Sequence, residues 1–128
     1  MSFNTEVSPI ISNPNPYPDG AMAAAAWDAV VPAGSAIGDA TALAKPLSVV
    51  TGADGTKGVV LPTPTFGTEQ FMVYSATATS GLKIYPPSGG AINGGSASAA
   101  ITIEGKSLAL LIALDTSGNY AAIYTANS

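Results

Sequence analysis

The sequence predicts an all-β protein, a small β-sandwich or barrel that carries an extended, proline-rich N-terminal arm. Two observations support this fold class. Short runs of β-branched, aromatic and other apolar residues recur from Leu47 onward. Clusters of Gly, Pro and Asp separate these runs at short intervals, as turns do in sandwiches and barrels. The length of 128 residues limits the chain to one domain with such an arm.

Residues 1–20 form the predicted arm. Prolines at positions 9, 14, 16 and 18 exclude a helix or a central strand, because proline lacks an N–H and restricts the residue before it. The stretch also carries large apolar side chains, which a solvated tail usually lacks. A free terminus and an arm that contacts another subunit both fit the pattern, and we favour the arm. The candidate partner-binding residues are Phe3, Val7, Ile10, Ile11, Tyr17 and Trp27.

Residues 21–46 form an alanine-rich bridge between the arm and the rest of the chain. The segment AMAAAAWDAVV at 21–31 has high helix propensity and is compatible with a short helix or a turn that ends before Pro32. Residues 33–46 then suggest a loop that leads into a strand near Ala40–Ala44. Trp27 is the only tryptophan, and we interpret it as a packing anchor.

Residues 47–128 form the predicted β body. Leu82 and Ile84 alternate with Lys83 and Tyr85, which is typical of a strand with one face in the core. The run from Ser107 to Leu114 predicts a buried strand, and no internal repeat with a fixed period is visible. The predicted strands are Leu47–Thr51, Gly58–Leu61, Gln70–Ser75, Leu82–Tyr85, Ala100–Ile103, Ser107–Leu114 and Tyr120–Thr125.

The composition excludes several kinds of chemistry. The chain has no Cys and no His, so it cannot form a disulfide, a thiolate nucleophile, an imidazole base or a Cys/His metal site. The net charge is −4, and the four cationic side chains are single, scattered lysines, which argues against nucleic acid. The longest apolar run, Leu108–Leu114, is far shorter than the ~20 residues of a membrane-spanning helix. No basic residue precedes an apolar N-terminal segment, so we expect no secretory signal.

Two motifs resemble catalytic loops only in part. Gly105-Lys106-Ser107 matches the end of a phosphate-binding loop, but Ala100 stands where the pattern needs glycine. We therefore interpret Lys106 as a turn residue. Gly94-Gly95-Ser96-Ala97-Ser98 lacks the final glycine of a nucleophile elbow, and the chain offers no histidine as a base.

Acidic and aromatic side chains offer weak alternatives. The eight carboxylates are isolated along the chain or lie in turns, so a hydrolase that uses a carboxylate pair is a remote alternative. Strand tyrosines at 74, 85, 120 and 124 are more typical of cross-strand packing than of a sugar platform. The sequence therefore predicts a protein that is not an enzyme, with no catalytic, cofactor-binding or metal-binding residues.

Two stretches resemble segments that recur in small β-structured virion proteins of tailed phages. They are Val49–Pro62 (VVTGADGTKGVVLP) and Leu82–Gly94 (LKIYPPSGGAING), the second followed by a strand and Gly105-Lys106-Ser107. The resemblance covers roughly residues 47–125 and extends to head decoration proteins and to fibre or spike proteins. Both groups tend to be trimeric. The proline-rich arm is similar in style to the capsid-gripping arms of head decoration proteins.

The resemblance implies a phage virion structural protein without a cofactor. The expected role is that of a capsid decoration (cement) protein that stabilises the head by bridging capsid subunits. Its expected partners are the major capsid protein and itself as a homotrimer, with no nucleic acid and no membrane. It would be made in the host cytoplasm and lie on the capsid surface of the virion. The alternative is a fibre or spike head that binds a host-surface glycan through loops Pro86–Gly95 and Asp115–Asn119.

Overall fold

The described part of the chain is built from β-strands, which confirms the predicted fold class. The computed structural model describes residues 27–127, except for the side chain of Trp27. Besides the strands it has one short 3₁₀ helix, Ile37–Asp39. The strands are β1 (Trp27–Val30), β2 (Thr41–Ala42), β3 (Leu47–Val50), β4 (Gly58–Val60), β5 (Gln70–Ser75), β6 (Leu82–Tyr85), β7 (Ile101–Ile103), β8 (Leu108–Ala113) and β9 (Tyr120–Ile123).

The first six strands alternate between two sheets. The larger sheet has the order β1-β3-β5-β8-β9, and the smaller sheet has the order β2-β4-β6-β7. Each coil of the chain therefore adds one strand to each sheet, and β1, β3 and β5 pair in parallel, as do β2, β4 and β6. The register pairs Trp27 with Leu47 and Leu47 with Met72, so successive coils differ in length. This difference explains why no fixed period is visible in the sequence.

The last three strands complete both sheets in antiparallel fashion. Strand β7 pairs with β6, β8 pairs with β5, and β9 pairs with β8. The turn before β8 contains Lys106 with φ 57°, and the turn after it contains Gly118 with φ 105°. Such left-handed positions favour glycine and are strained for lysine.

One apolar core fills the space between the sheets. Val50, Val73 and Leu111 from the larger sheet are fully buried, as are Ile84 and Ile103 from the smaller sheet. The predicted alternation in β6 is confirmed, because Leu82 and Ile84 are both buried in this core.

Strand β1 corrects the prediction for the alanine-rich bridge. Residues 27–30 form a strand that pairs with β3, so the short helix or turn suggested for 21–31 is wrong for these residues. Asp28, Ala29 and Val30 pair with three residues of β3, and this pairing decides their conformation. The helix propensity of the segment, a few tenths of a kcal/mol per residue, is too small to prevent the pairing. Residues 21–26 and the arm at 1–20 lie outside the described residues.

Between residues 27 and 127, we find no helix with the length and apolar character needed to cross a bilayer.

Candidate interaction surface

The outer face of the larger sheet presents a wide apolar surface. Along each strand, residues such as Val73 and Leu111 point into the core and their neighbours point outward. The register aligns outward positions of four strands in one row, Leu47, Met72, Leu110 and Ile123, and the backbone of Trp27 on β1 pairs with Leu47. We call the outward side chains of β3, β5, β8 and β9 the apolar face. Its members are Leu47, Val49, Gln70, Met72, Tyr74, Leu108, Leu110, Ile112, Ala121 and Ile123.

The apolar face is exposed and carries no charge. Ile123 is 75% exposed, Leu108 is 51% exposed and Met72 is 38% exposed. None of its ten members is Asp, Glu or Lys, and its polar groups are the amide of Gln70 and the hydroxyl of Tyr74. A surface of this kind, with apolar residues in contact across four strands, is typical of an interaction site.

Charged residues border the apolar face at the ends of its strands. Lys45 lies two residues before β3, Glu69 immediately precedes β5, and Asp115 lies two residues after β8. An apolar centre with a polar border is the usual anatomy of a protein–protein interface.

The outer face of the smaller sheet differs from the apolar face. Lys83 and Thr102 are outward register partners on β6 and β7. Tyr85, the other outward residue of β6, is 7% exposed, and its hydroxyl donates a hydrogen bond of 3.1 Å to the Ser35 carbonyl oxygen. The segment around Ser35 therefore covers part of this sheet, which leaves no comparable apolar surface there.

Strand β8 was predicted from the sequence, but the exposure of its outer side was not. The run from Ser107 to Leu114 predicted a buried strand, whereas only Ala109, Leu111 and Ala113 are buried. A strand with apolar side chains on both of its sides is expected to be buried on both sides. Within this chain the core covers only one side, and that is why Leu108 lies exposed.

The residues predicted to bind a partner fall largely outside the described part of the chain. Phe3, Val7, Ile10, Ile11 and Tyr17 all lie there, so their contacts stay predictions. The backbone of Trp27 begins β1 and pairs in register with Leu47 of the apolar face.

The two loops that the glycan-binding alternative names lie against each other. A Cβ added to Gly90 would lie 2.0 Å from the Gly118 carbonyl oxygen, so the two backbones approach too closely for a side chain. Asn93 joins the first loop to β9, because its side-chain amide donates to the Ala122 carbonyl oxygen at 3.1 Å and accepts from the Ala122 N–H at 2.8 Å.

Tyr85 and Tyr120, the tyrosines that border these two loops, are buried. Tyr120 has no exposed surface, and its ring packs edge-on against Phe71 with 6.1 Å between the ring centroids. Its hydroxyl donates to the Pro62 carbonyl oxygen at 2.7 Å. Burial raises the pKa of Tyr120 above its ordinary value, and the charge of Glu69 raises it further. Neither Tyr120 nor Tyr85 offers an open ring on which a sugar could stack.

Asp54 and Asp115 each stabilise a turn with their carboxylates. One oxygen of Asp54 accepts hydrogen bonds from the Thr56 hydroxyl and from the N–H groups of Thr56 and Lys57, at 2.7, 2.9 and 3.1 Å. These hydrogen bonds, led by that of the Thr56 hydroxyl, lower the pKa of Asp54 to about 2. The Asn119 side-chain amide and the Ser117 N–H lower the pKa of Asp115 in the same way.

The partial catalytic motifs also have local structural roles. Lys106 occupies a turn and is followed by strand β8 instead of a helix, so its interpretation as a turn residue is confirmed. The Ser98 hydroxyl accepts a hydrogen bond from the Gly89 N–H at 2.8 Å. Among residues 27–127 there is no cavity and no group of three or more acidic side chains placed to hold a metal ion.

Comparison with known proteins identifies no relative: no protein-family model, no curated protein and no solved structure matches this chain.

Proposed function

We propose that the protein is a structural component of a tailed-phage virion, a capsid decoration (cement) protein that works as a homotrimer. It would stabilise the head by bridging subunits of the major capsid protein. In this proposal the β body binds its own copies and residues 1–20 grip the shell. The observation that supports the proposal best is the uncharged apolar face of the larger sheet, 38–75% exposed at Met72, Leu108 and Ile123.

The apolar face meets the physical requirements of a cement protein. Such a protein has to bridge its neighbours through contact area, and it needs no reactive groups for that task. Each Å² of apolar surface removed from water contributes roughly 25 cal/mol, so an apolar sheet face is an effective means of association. A fully extended segment of twenty residues would reach up to roughly 65 Å, enough to cross from one capsid subunit to the next.

Immunogold labelling of intact virions tests the location. An antibody raised against the purified chain should label the whole head surface of the phage that encodes it. Label confined to the tail would contradict the cement role and support the alternative, a fibre or spike head that binds a host-surface glycan. Purified virions without any label would contradict both.

A truncation tests the arm. A variant that lacks residues 1–20 should keep the circular dichroism spectrum of a β protein and lose binding to heads purified from a mutant phage without this protein. The matched control is the full-length chain added to the same heads at the same concentration. Binding of the truncated chain at the full-length affinity would show that residues 1–20 do not grip the shell.

A further inference from the structure

We infer that the apolar face is the surface through which copies of this chain bind one another. The inference deepens the proposed function, because it assigns the self-association of a homotrimer to one defined face. Three features of the described residues support a second copy as the occupant: the sequence of β8, the distribution of charge and the size of the face.

The sequence of β8 indicates that the outward side is covered in the functional assembly. All six residues of this strand are apolar, as in strands that are buried on both faces. Within one chain, Leu111 is fully buried but Leu108 is 51% exposed. Strand β9 repeats the pattern, since Tyr120 is fully buried and Ile123 is 75% exposed. In a strand whose outer side stays in water, polar residues on that side would normally alternate with apolar residues on the core side.

The distribution of charge favours a copy of the same chain. Each copy carries a net charge of −4, so two copies repel each other through most orientations. The apolar face contains none of the twelve charged side chains, and the nearest borders carry both signs, Lys45 beside β3 and Glu69 beside β5. Two copies can therefore approach each other with these faces together without bringing like charges close to one another. A lipid headgroup or a strongly charged protein would find no complementary charge on it.

The size of the face, together with exposed side chains beside it, approaches that of a contact between copies. Four strands at about 4.8 Å spacing and a length of about 20 Å give roughly 400 Å² per copy before side-chain relief is counted. Two copies would then remove roughly 800 Å² from water, and a stable interface needs about 1,200–2,000 Å². Leu114, which is 59% exposed, continues the outward alternation of β8, and Phe66, which is 60% exposed, adjoins Gly67 beside the Leu114 backbone. These two side chains enlarge the contact toward the required area.

Charge-inserting variants test the inference in solution. We would measure the mass of the full-length protein by light scattering at several concentrations, together with L108K, I123K and the control A42K. Ala42 is exposed on β2 of the smaller sheet, away from the apolar face. Wild type and A42K should have about three times the chain mass of 12.6 kDa, and L108K and I123K should have the monomer mass with an unchanged circular dichroism spectrum. A wild-type monomer, or face variants that keep the wild-type mass, would overturn the inference.

Cross-linking keeps the inference testable if the charged variants fail to fold. The chain has no cysteine, so I123C and A42C each carry a single thiol. A short bis-maleimide should join two copies of I123C and leave A42C uncoupled. Coupling of A42C without coupling of I123C would place the contact on the smaller sheet and contradict our assignment.

The two proposals fail in different experiments. If the head is labelled and I123K keeps its oligomeric mass, the cement role stands and the assignment of the face is wrong. If I123K becomes monomeric and the head is not labelled, the assignment stands and the cement role is wrong.

Discussion

The hydroxyl of Tyr120 donates a hydrogen bond of 2.7 Å to the carbonyl oxygen of Pro62, a residue 58 positions away in the chain. Tyr120 begins β9 at one edge of the larger sheet, and Pro62 follows β4 of the smaller sheet. The hydrogen bond therefore joins the two layers of the sandwich. The ring of the same tyrosine packs edge-on against Phe71.

Replacing Tyr120 with Phe should weaken this junction. The ring stays in place, but the Pro62 carbonyl oxygen loses its partner, so we expect the free energy of unfolding to fall by about 1 kcal/mol. Urea denaturation monitored by circular dichroism measures the change. Y124F is the control, because the Tyr124 hydroxyl makes no hydrogen bond among residues 27–127 and its ring is only partly buried. Equal stability of Y120F and wild type would show that the hydrogen bond contributes nothing.

The close approach of Gly90 and Gly118 predicts a strong position-specific effect. Replacing Gly90 with Ala would place Cβ 2.0 Å from the Gly118 carbonyl oxygen, so a backbone must move. We expect G90A to lower the free energy of unfolding by about 1–3 kcal/mol, the usual cost of overpacking. A Cβ at Gly38 would meet nothing within 4 Å, so G38A serves as the control and should leave the stability nearly unchanged. The prediction is wrong if both variants melt at the same temperature.

Replacing either of two core serines with Ala should not lower the stability of the protein. The hydroxyls of Ser48 and Ser75 are buried and have no hydrogen-bond partner within the described part of the chain. Because a buried polar group without a partner costs free energy, S48A and S75A should be neutral or stabilising by up to about 1 kcal/mol. The control S98A should be destabilising, since the Gly89 N–H would lose its acceptor. Thermal unfolding that shows S75A to be clearly less stable than wild type would contradict this account.

The Asp54 turn predicts a loss of stability in acid. The pKa of Asp54 is lowered from 3.8 to about 2 in the folded state, so its contribution is present above pH 3.8 and is lost as the pH falls toward about 2. Melting temperatures of D54N should therefore change less than those of wild type between pH 4 and pH 2. An NMR titration of the Asp54 carboxyl group checks the pKa directly. The control is D39N, because Asp39 is exposed and its carboxylate accepts no hydrogen bond from residues 27–127. A carboxyl group that titrates near 3.8 in the folded protein would refute the prediction.

Local signals in the sequence account for most of the strands. The bounds predicted for Gln70–Ser75 and Leu82–Tyr85 match β5 and β6, because turn residues mark both ends of each run. The sequence suggested a short helix or a turn for the segment that contains Trp27–Val30, since its alanine-rich surroundings favour a helix. Its pairing with β3 could not be predicted from local propensity, because the partner lies twenty positions further along the chain.

The candidate surface was harder to predict than the strands. The sequence of β8 shows that the strand is apolar on both sides, but it does not show which side the core of the same chain covers. Parallel pairing of β3 with β5 also depends on contacts between distant residues, such as Leu47 with Met72. Only the assembled sheet shows that Leu47, Met72, Leu110 and Ile123 form one row.

The alternation of the first six strands between the sheets has a consequence for synthesis on the ribosome. Strands β1 to β4 leave the ribosome first, but the sheets that contain them also need β5 to β9. A nascent chain therefore completes the smaller sheet only when β7 has been made, at Ile103, and the larger sheet only when β9 has been made, at Ile123. A parallel pair forms only after the long stretch of chain between its two strands has been brought together, so we expect folding to be slow. An apolar strand such as β8 would emerge late, which shortens the time for which it is exposed before its core partners are in place.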